Sequence, residues 1–330
     1  MPLLRPYRST IATIIGLTVL ANALNLVVPR LIARAIDGYG ANQLVVGTLV
    51  VEFLAVALGI FVLTYLQNIA QTLASERVAR DLRTQIVAKL ATQDVAYIQR
   101  TTTATLLTNL TSDVDAVKLF VSQAVGSIIS SVVLIIGAAI LLLSINWKLG
   151  LAVLAVLPII AVAFRFVMGR VRKLFLQGQQ AVDWLNKVIN ESILGAALIR
   201  LVNSQHSEYD KFLAANTQAR DIGLRILNLF ASLIPIIIFS TNLATLLILT
   251  LGGSFVIGGS MTLGNFTAFN SYLAILIFPV ILIGFMSNVM AQAGASYGRI
   301  STVLLEPSPK AHGTLKATLR GDISIDHVQL

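Results

Sequence analysis

The sequence predicts an all-α membrane protein, with six transmembrane helices carrying two long helical arms on one side of the bilayer. Three observations lead there. Hydrophobic residues make up 56% of the 330-residue chain and charged residues only 12%, about half the charged share of an ordinary soluble domain. Apolar intervals long enough to cross a ~30 Å hydrocarbon core recur six times. Between them stand two hydrophilic excursions whose apolar residues repeat with helical period.

Charge-free intervals place the spans at about 9–36, 45–74, 119–146, 148–170, 224–251 and 263–292, within a membrane domain covering 1–305. The last two come from one run, Ile226–Gly298, that carries no charge at all. That is too long for one crossing, and the Gly-rich stretch Gly252–Gly264 is expected to divide it. Arg5 and Arg8, the apolar Ile11–Leu20 and then Ala21-Asn22-Ala23 have the form of a cleavable signal peptide. The apolar character continues from Leu24 through Ile32, so a retained first helix is expected.

The excursions, roughly Ser75–Lys118 and Arg165–Arg225, follow even-numbered spans and face the same side. They and the termini hold 21 of the 24 Lys/Arg, leaving Lys148, Arg30 and Arg34 for the other side. The positive-inside rule therefore puts both termini and both arms in the cytoplasm of a multi-pass protein of the cell (plasma) membrane. A net charge of +9 is explained by that distribution, and no nucleic-acid partner is expected.

The arms read as helical hairpins. Val78, Leu82, Ile86 and Leu90 recur every fourth residue, and Glu76–Arg80 and Arg77–Asp81 are spaced as i,i+4 ion pairs. The second span should thus continue as one helix from Leu44 to about Tyr97, then weaken at Thr101-Thr102-Thr103 and stop near Thr108-Asn109. Ser112, with Asp115 three residues on, has the pattern of a capping box. A short helix at the arm's tip, Asp113, Val114, Asp115, Ala116 and Val117, is expected from it. In the second arm Val182, Leu185 and Ile189 have helical spacing, Asp183–Lys187 is a favourable pair, and Gly195 interrupts the run. Tyr209, Phe212 and Leu213 begin the return helix.

These residues resemble the transmembrane domain of ATP-binding cassette exporters, the six-helix, domain-swapped type. The resemblance covers nearly the whole chain. Its residues are Leu24–Pro29 followed by Ala35-Ile36-Asp37; Arg80-Asp81-Leu82-Arg83; Thr111-Ser112-Asp113-Val114; Trp147-Lys148-Leu149 through Leu157-Pro158; Asn190-Glu191-Ser192-Ile193 through Arg200; Phe269-Asn270-Ser271-Tyr272 through Phe278-Pro279; and Ala295–Ile300. Where the family usually carries a Thr-Gly and an Arg near the first tip, this chain has Ala104 and Asn109 in those neighbourhoods. The resemblance implies two coupling helices, Ser112 with Asp113–Val117, and Ser192, Ile193, Leu194, Gly195, Ala196, Ala197, Leu198, Ile199 and Arg200. It further implies a second transmembrane domain, in a homo- or heterodimer, and nucleotide-binding domains that hold ATP and magnesium. This chain itself is expected to bind no cofactor.

Glu306-Pro307-Ser308-Pro309 should end the last helix. Residues 306–320 then read as a linker, and Gly321–Val328 alternate like a strand, so that 321–330 resemble the first strand of the family's nucleotide-binding domain. No Gly-x-x-x-x-Gly-Lys-Ser/Thr loop occurs in the 330 residues. Leu251-Gly252-Gly253-Ser254, which mimics part of a nucleotide signature, falls in the outer connection between spans five and six and is expected to be a loop.

No catalytic constellation is visible. There is no cysteine, which excludes disulfide and thiolate chemistry, and His206, His312 and His327 are too scattered for a metal site. Glu52 is an acid near a span, at its outer end. Secondary transporters place ionisable groups near the midplane, so the spans fit a pump driven from outside the membrane. Asn242 and Thr245 in span five, and Asn270, Tyr272, Asn288 and Gln292 in span six, are candidates for a substrate path, against ordinary helix–helix hydrogen bonding. Their neutral character suits an apolar or amphipathic substrate. The alternatives are an ATP-independent transporter or channel, which would support flux alone, and a non-transporting scaffold, which would support none with its ATPase present.

Overall fold

The computed structural model describes residues 7–307 together with Gly321 and Asp326. Among them the chain forms helices α1 (Arg8–Gly40), α2 (Val46–Ala91), α3 (Val95–Thr101), α4 (Thr103–Ile145), α5 (Trp147–Leu194), α6 (Ala196–Leu201), α7 (Gln205–Ile257) and α8 (Leu263–Leu305). Six of these, all but α3 and α6, are long and apolar enough to cross a membrane. The chain is an all-α, multi-pass membrane protein. The expected strand at 321–330 and the linker beyond Pro307 lie outside the described residues, apart from Gly321 and Asp326.

Among the described residues two cores hold the helices, and different physics governs each. The upper core joins α1, α4, α5, α7 and α8 through Leu26, Leu142, Val153, Ile160, Ile237 and Phe269, among others. In lipid there is no hydrophobic gain from bringing apolar helices together, so close packing over small residues must do the work. Gly264 rests on the Ala33 carbonyl of α1, and Gly284 on the ring of Phe164 in α5. The lower core joins α1, α2, α4 and α8 through Ile14, Val78, Leu82, Ile86, Val114, Val117 and Ile300. It lies where the arm leaves the bilayer, so water exclusion stabilises it at about 1.5–3 kcal/mol per large side chain. Val78, Leu82 and Ile86 are the apolar face read from their four-residue spacing, 4%, 3% and 0% exposed.

Within the described residues the lower core includes no buried residue of α5 or α7. Those two helices pack mainly on each other and leave the bundle as a separate hairpin. The second arm is therefore an isolated stalk within one chain. Its packed face is Ala181 and Val188 rather than Val182 and Ile189, which are exposed. With so few neighbours, the register of the packed face was not fixed by the apolar spacing alone.

Several local expectations change. α2 ends at Ala91, not Tyr97, because Asp94 accepts the Tyr97 N–H at 2.7 Å and caps a separate helix, α3. Glu76 pairs with Lys118 on α4 at 2.6 Å, and Asp81 with its neighbour Arg80 and with Tyr7, rather than along the helix. Lys187 reaches Glu191 at 3.8 Å instead of Asp183. Residues 251–254 are helical, through a wide π turn at Ile248–Gly252. The break into α8 comes at 258–262, where Gly259 has a φ of 70°.

The Tyr7 hydroxyl donates to Asp81 and pins the start of α1 to α2. Burial, then the hydrogen bond to Asp81, pushes the Tyr7 hydroxyl up to about 12. A phenol whose folded pKa is raised stabilises the fold fully below its unfolded value near 10, and that contribution disappears as pH rises through about 12. Tyr7→Phe should therefore speed amide exchange in residues 8–14 several-fold at pH 7–9, with the difference from wild type closing above pH ~11. An unchanged exchange pattern at pH 8 would rule the anchor out.

Candidate functional site

The first arm is α2 running antiparallel to α4, and cross-links fix its register. Gln71 Nε2 donates to the Ser122 carbonyl at 2.8 Å, Lys118 meets Glu76, and Arg83 meets Asp115 at 2.7 Å. The hairpin therefore turns over at residues 92–102. The carbonyls that Gln71 reaches lie in a π turn, Phe120–Ala124, whose widened hydrogen bonding leaves backbone oxygens available.

The expected tip helix at Asp113–Val117 is thus corrected in position. Residues 112–117 lie inside the continuous α4, roughly 15 Å from the turn at 1.5 Å per residue. Asn109–Asp113 forms another π turn, and Ser112 makes no capping hydrogen bond. The reason is tertiary. Val114 and Val117 are buried against α2 and α8, Ala116 is buried beside them, and burial overrides the local capping pattern. Asp115 forms its pair with Arg83 rather than completing a capping box. Asn109 is 3% exposed with its side-chain oxygen unpaired. The helix at the tip is α3, which contiguous apolar spacing did not reveal; the signal for it was Asp94 three residues before Tyr97. Between α3 and α4, Thr102 has a φ of 54°, strained for a β-branched residue.

Asp113 instead makes the closest link between the first arm and the last membrane helix. Its carboxylate, 2% exposed, accepts both Nε and Nη2 of Arg299, and Nη2 also donates to Ser296. Burial by itself raises the Asp113 pKa, yet the hydrogen bonds and charge of Arg299 and Ser296 outweigh it and hold the carboxyl below its usual range. Asp113 is therefore ionised at neutral pH, and Arg299 is held charged above its ordinary value.

The second tip is apolar and open. α5 stops at Leu194, Gly195 donates its N–H to the Glu191 carbonyl at 2.8 Å, and α6 follows with no buried residue. Ile193, Leu194, Leu198, Leu201 and Val202 are 60–84% exposed. Ser192 donates to Glu208 across the hairpin, and Lys211 meets Glu208 at 2.6 Å. The hydrogen bond from Lys211 keeps Glu208 below the usual carboxylate range. Ser192, Ile193 and Leu194 end α5 at this tip, Gly195 follows, and Ala196, Ala197, Leu198, Ile199 and Arg200 lie in α6.

On α8, Asn270, Ala274, Ile281, Phe285, Asn288 and Gln292 fall on one helical stripe that is open or half-open along its length. Phe285 meets Phe164 of α5 edge-on at 5.6 Å. Tyr272 is off the stripe. It is fully buried, and its hydroxyl donates to the Leu26 carbonyl at 2.9 Å, so it joins helices and does not line a path. Asn242 and Thr245 on α7 are not brought to the stripe within one chain. Asn242 faces away from the packed side marked by Ile237, Ser240 and Ala244, and Thr245 donates back to the Thr241 carbonyl at 3.0 Å.

Comparison with known proteins assigns this six-helix chain to a family. The family model of the ABC transporter transmembrane region matches residues 11–280. The chain belongs to that family. Its relatives include the multidrug resistance-like ATP-binding protein MdlA of Escherichia coli, 26% identical over 92% of this chain and 54% of the relative. The ABC transporter ATP-binding protein YfiB of Bacillus subtilis is 27% identical over 98% of this chain and 57% of its own length. YheI of the same organism, a probable multidrug resistance ATP-binding/permease protein, is 25% identical over 97% of this chain and 56% of its own. This ABC transporter membrane region spans a little over half the length of the relatives it matches.

Proposed function

We propose that this chain is the membrane subunit of an ATP-driven ABC exporter, moving an apolar or amphipathic substrate by alternating access. The single observation that carries the reading is the exposed apolar knuckle at the second tip. Leu198 and Leu201, 64% and 84% exposed, sit at the end of a polar stalk, where water would not tolerate them without a partner that covers them. Nucleotide-binding domains, holding ATP and magnesium, are that partner. The names of the relatives, ATP-binding and permease proteins of multidrug resistance type, support it. At the first arm the docking role passes from Asp113–Val117, where all but Asp115 are buried, to α3, where Ile98 is exposed. Asp113 and Arg299 then carry motion from the tip into α8.

The free α5–α7 hairpin supports pairing with a second transmembrane domain, whose bundle would supply the packing that one chain lacks. Both termini and both arms are cytoplasmic in this reading, in the plasma membrane. ATP provides the driving free energy by binding the closed pair of nucleotide-binding domains better than the open one. The open stripe of Asn270, Asn288 and Gln292 lines the substrate path.

The test is Leu198→Glu with Leu201→Glu in the transporter assembled with its ATPase. Both positions are solvent-exposed, so the melting temperature should stay within about 2 °C. ATP-dependent transport should fall at least ~10-fold while residual ATP hydrolysis persists. Undiminished transport, or flux from this chain alone in proteoliposomes, would sink the proposal.

A further inference from the structure

Four cations, Arg165, Arg170, Arg172 and Lys173, stand exposed close together on α5. Several other cations of the arms reach carboxylates: Arg83 to Asp115, Lys118 to Glu76, Lys187 to Glu191 and Lys211 to Glu208. None of these four on α5 forms an ion pair among the described residues. The sequence itself withholds partners, with no Asp or Glu between Asp115 and Asp183. On the neighbouring α7 the nearest acid, Asp221, is taken by Arg220 at 2.8 Å.

Position along the helix matters as much as charge. Ile160, Phe164, Val167 and Val171 form the packed face of α5. Ile159, Val162 and Phe166 are 53%, 67% and 58% exposed on the opposite side, as a lipid-facing stripe requires. Arg170, Arg172 and Lys173 lie below that stripe, Arg170 and Arg172 on opposite flanks of the outward half, and Arg165 lies beside Phe166 at the foot of the stripe. Counting from Trp147 at the outer turn, Arg165 and Lys173 lie roughly 27 and 39 Å down the helix at 1.5 Å per residue. With a hydrocarbon core of about 30 Å, that interval is the headgroup zone of the leaflet nearer the arms. The Arg170 guanidinium lies over the Phe166 ring, 3.8 Å from its centroid. The aromatic ring thereby holds one cation at the boundary between tails and headgroups.

We infer that this patch is a binding site for the phosphate headgroup of an anionic phospholipid in the leaflet on the side of the arms. Phe166, Val162 and Ile159 take the acyl chains, and the cations flanking them take the phosphodiester. A soluble phosphate would gain the charge contacts but none of the apolar ones. The inference needs the chain to span a membrane and this outward half of α5 to face lipid, not the second transmembrane domain, and stands apart from whether ATP drives transport.

The full chain in mild detergent can be titrated with phosphatidylglycerol and with phosphatidylcholine of matched acyl chains, the retained lipid being counted by native mass spectrometry. Wild type should prefer phosphatidylglycerol by about tenfold or more, and the preference should collapse between about 50 and 300 mM salt. Arg165→Gln, Arg170→Gln, Arg172→Gln and Lys173→Gln combined should bring it within about twofold of parity. Lys148→Gln at the outer turn should leave it unchanged. The salt titration uses wild type alone, so it decides the matter even if the fourfold variant fails to fold. A salt-insensitive preference, or one retained by a folded fourfold variant, overturns the inference. So does displacement of the lipid by millimolar glycerol phosphate, which would mark a soluble-anion site. Loss of self-association in the fourfold variant would also overturn it, marking a contact between copies.

Discussion

Arg299→Ala should be among the most damaging single changes in the chain, and far worse than Asp113→Asn. The pair is asymmetric. The Asp113 side chain is 2% exposed and that of Arg299 is 55% exposed. Removing Arg299 leaves a carboxylate buried without its counter-charge, at a cost of about 3 kcal/mol or more. Asp113→Asn leaves a neutral amide, while the arginine returns its charge to water, which costs about 1–2 kcal/mol. Adding Asp113→Asn to Arg299→Ala should therefore restore part of the lost stability.

The pH dependence separates this account from simple loss of packing. In wild type the Asp113 pKa is depressed. The pair's contribution is thus complete above the unfolded carboxyl value near 3.9 and is lost as pH falls below it. In Arg299→Ala burial, the largest influence on Asp113, is opposed only by Ser296 and raises the carboxyl pKa, so the penalty is full at pH 7 and relaxes as pH falls toward 4. Thermal melting from pH 7 to 4.5 should narrow the gap between variant and wild type. A gap independent of pH, or a double variant no better than Arg299→Ala, would refute the buried-charge explanation.

Asp113 also shows what was legible in the sequence and what was not. The six spans were visible because an apolar interval of about 20 residues has few other uses, and the arms because helical period persists far past the bilayer. Ser112 and Asp115 have the spacing of a helix start, and locally nothing contradicts it. Only the arrival of Arg299 from 186 residues away and the burial of Val114 and Val117 keep α4 running through them. Similarly, polarity alone could not separate Tyr272, which bonds a backbone carbonyl of α1, from Asn288 and Gln292, which face an open stripe. At the second tip Gly195, which interrupts the apolar run in the sequence, is where α5 stops and α6 begins. Where tertiary contacts are dense, local signals lose.

The same contrast predicts that one substitution on α8 will have opposite effects at two glycines. Gly264→Ala should destabilise the outer end of the bundle by about 3 kcal/mol, whereas Gly294→Ala should be neutral or stabilising by up to about 1 kcal/mol. At Gly264 a new methyl would fall on the Ala33 carbonyl and the Asp37 carboxylate. The first of these is backbone and cannot rotate away. The Gly264 N–H donates to Asp37 at 2.8 Å, so separating α1 from α8 to make room also breaks a charge-assisted bond at the start of α8. At Gly294 nothing lies within 4 Å of the added carbon, and alanine has less conformational freedom to lose on folding than glycine does. Helix propensity is common to both sites, so a difference in sign isolates close approach as the cause. Thermal unfolding in detergent gives the answer. Equal melting temperatures for the two variants would mean that α1 and α8 are not seated on each other at Gly264, and the seam that closes the outer end would have to lie elsewhere.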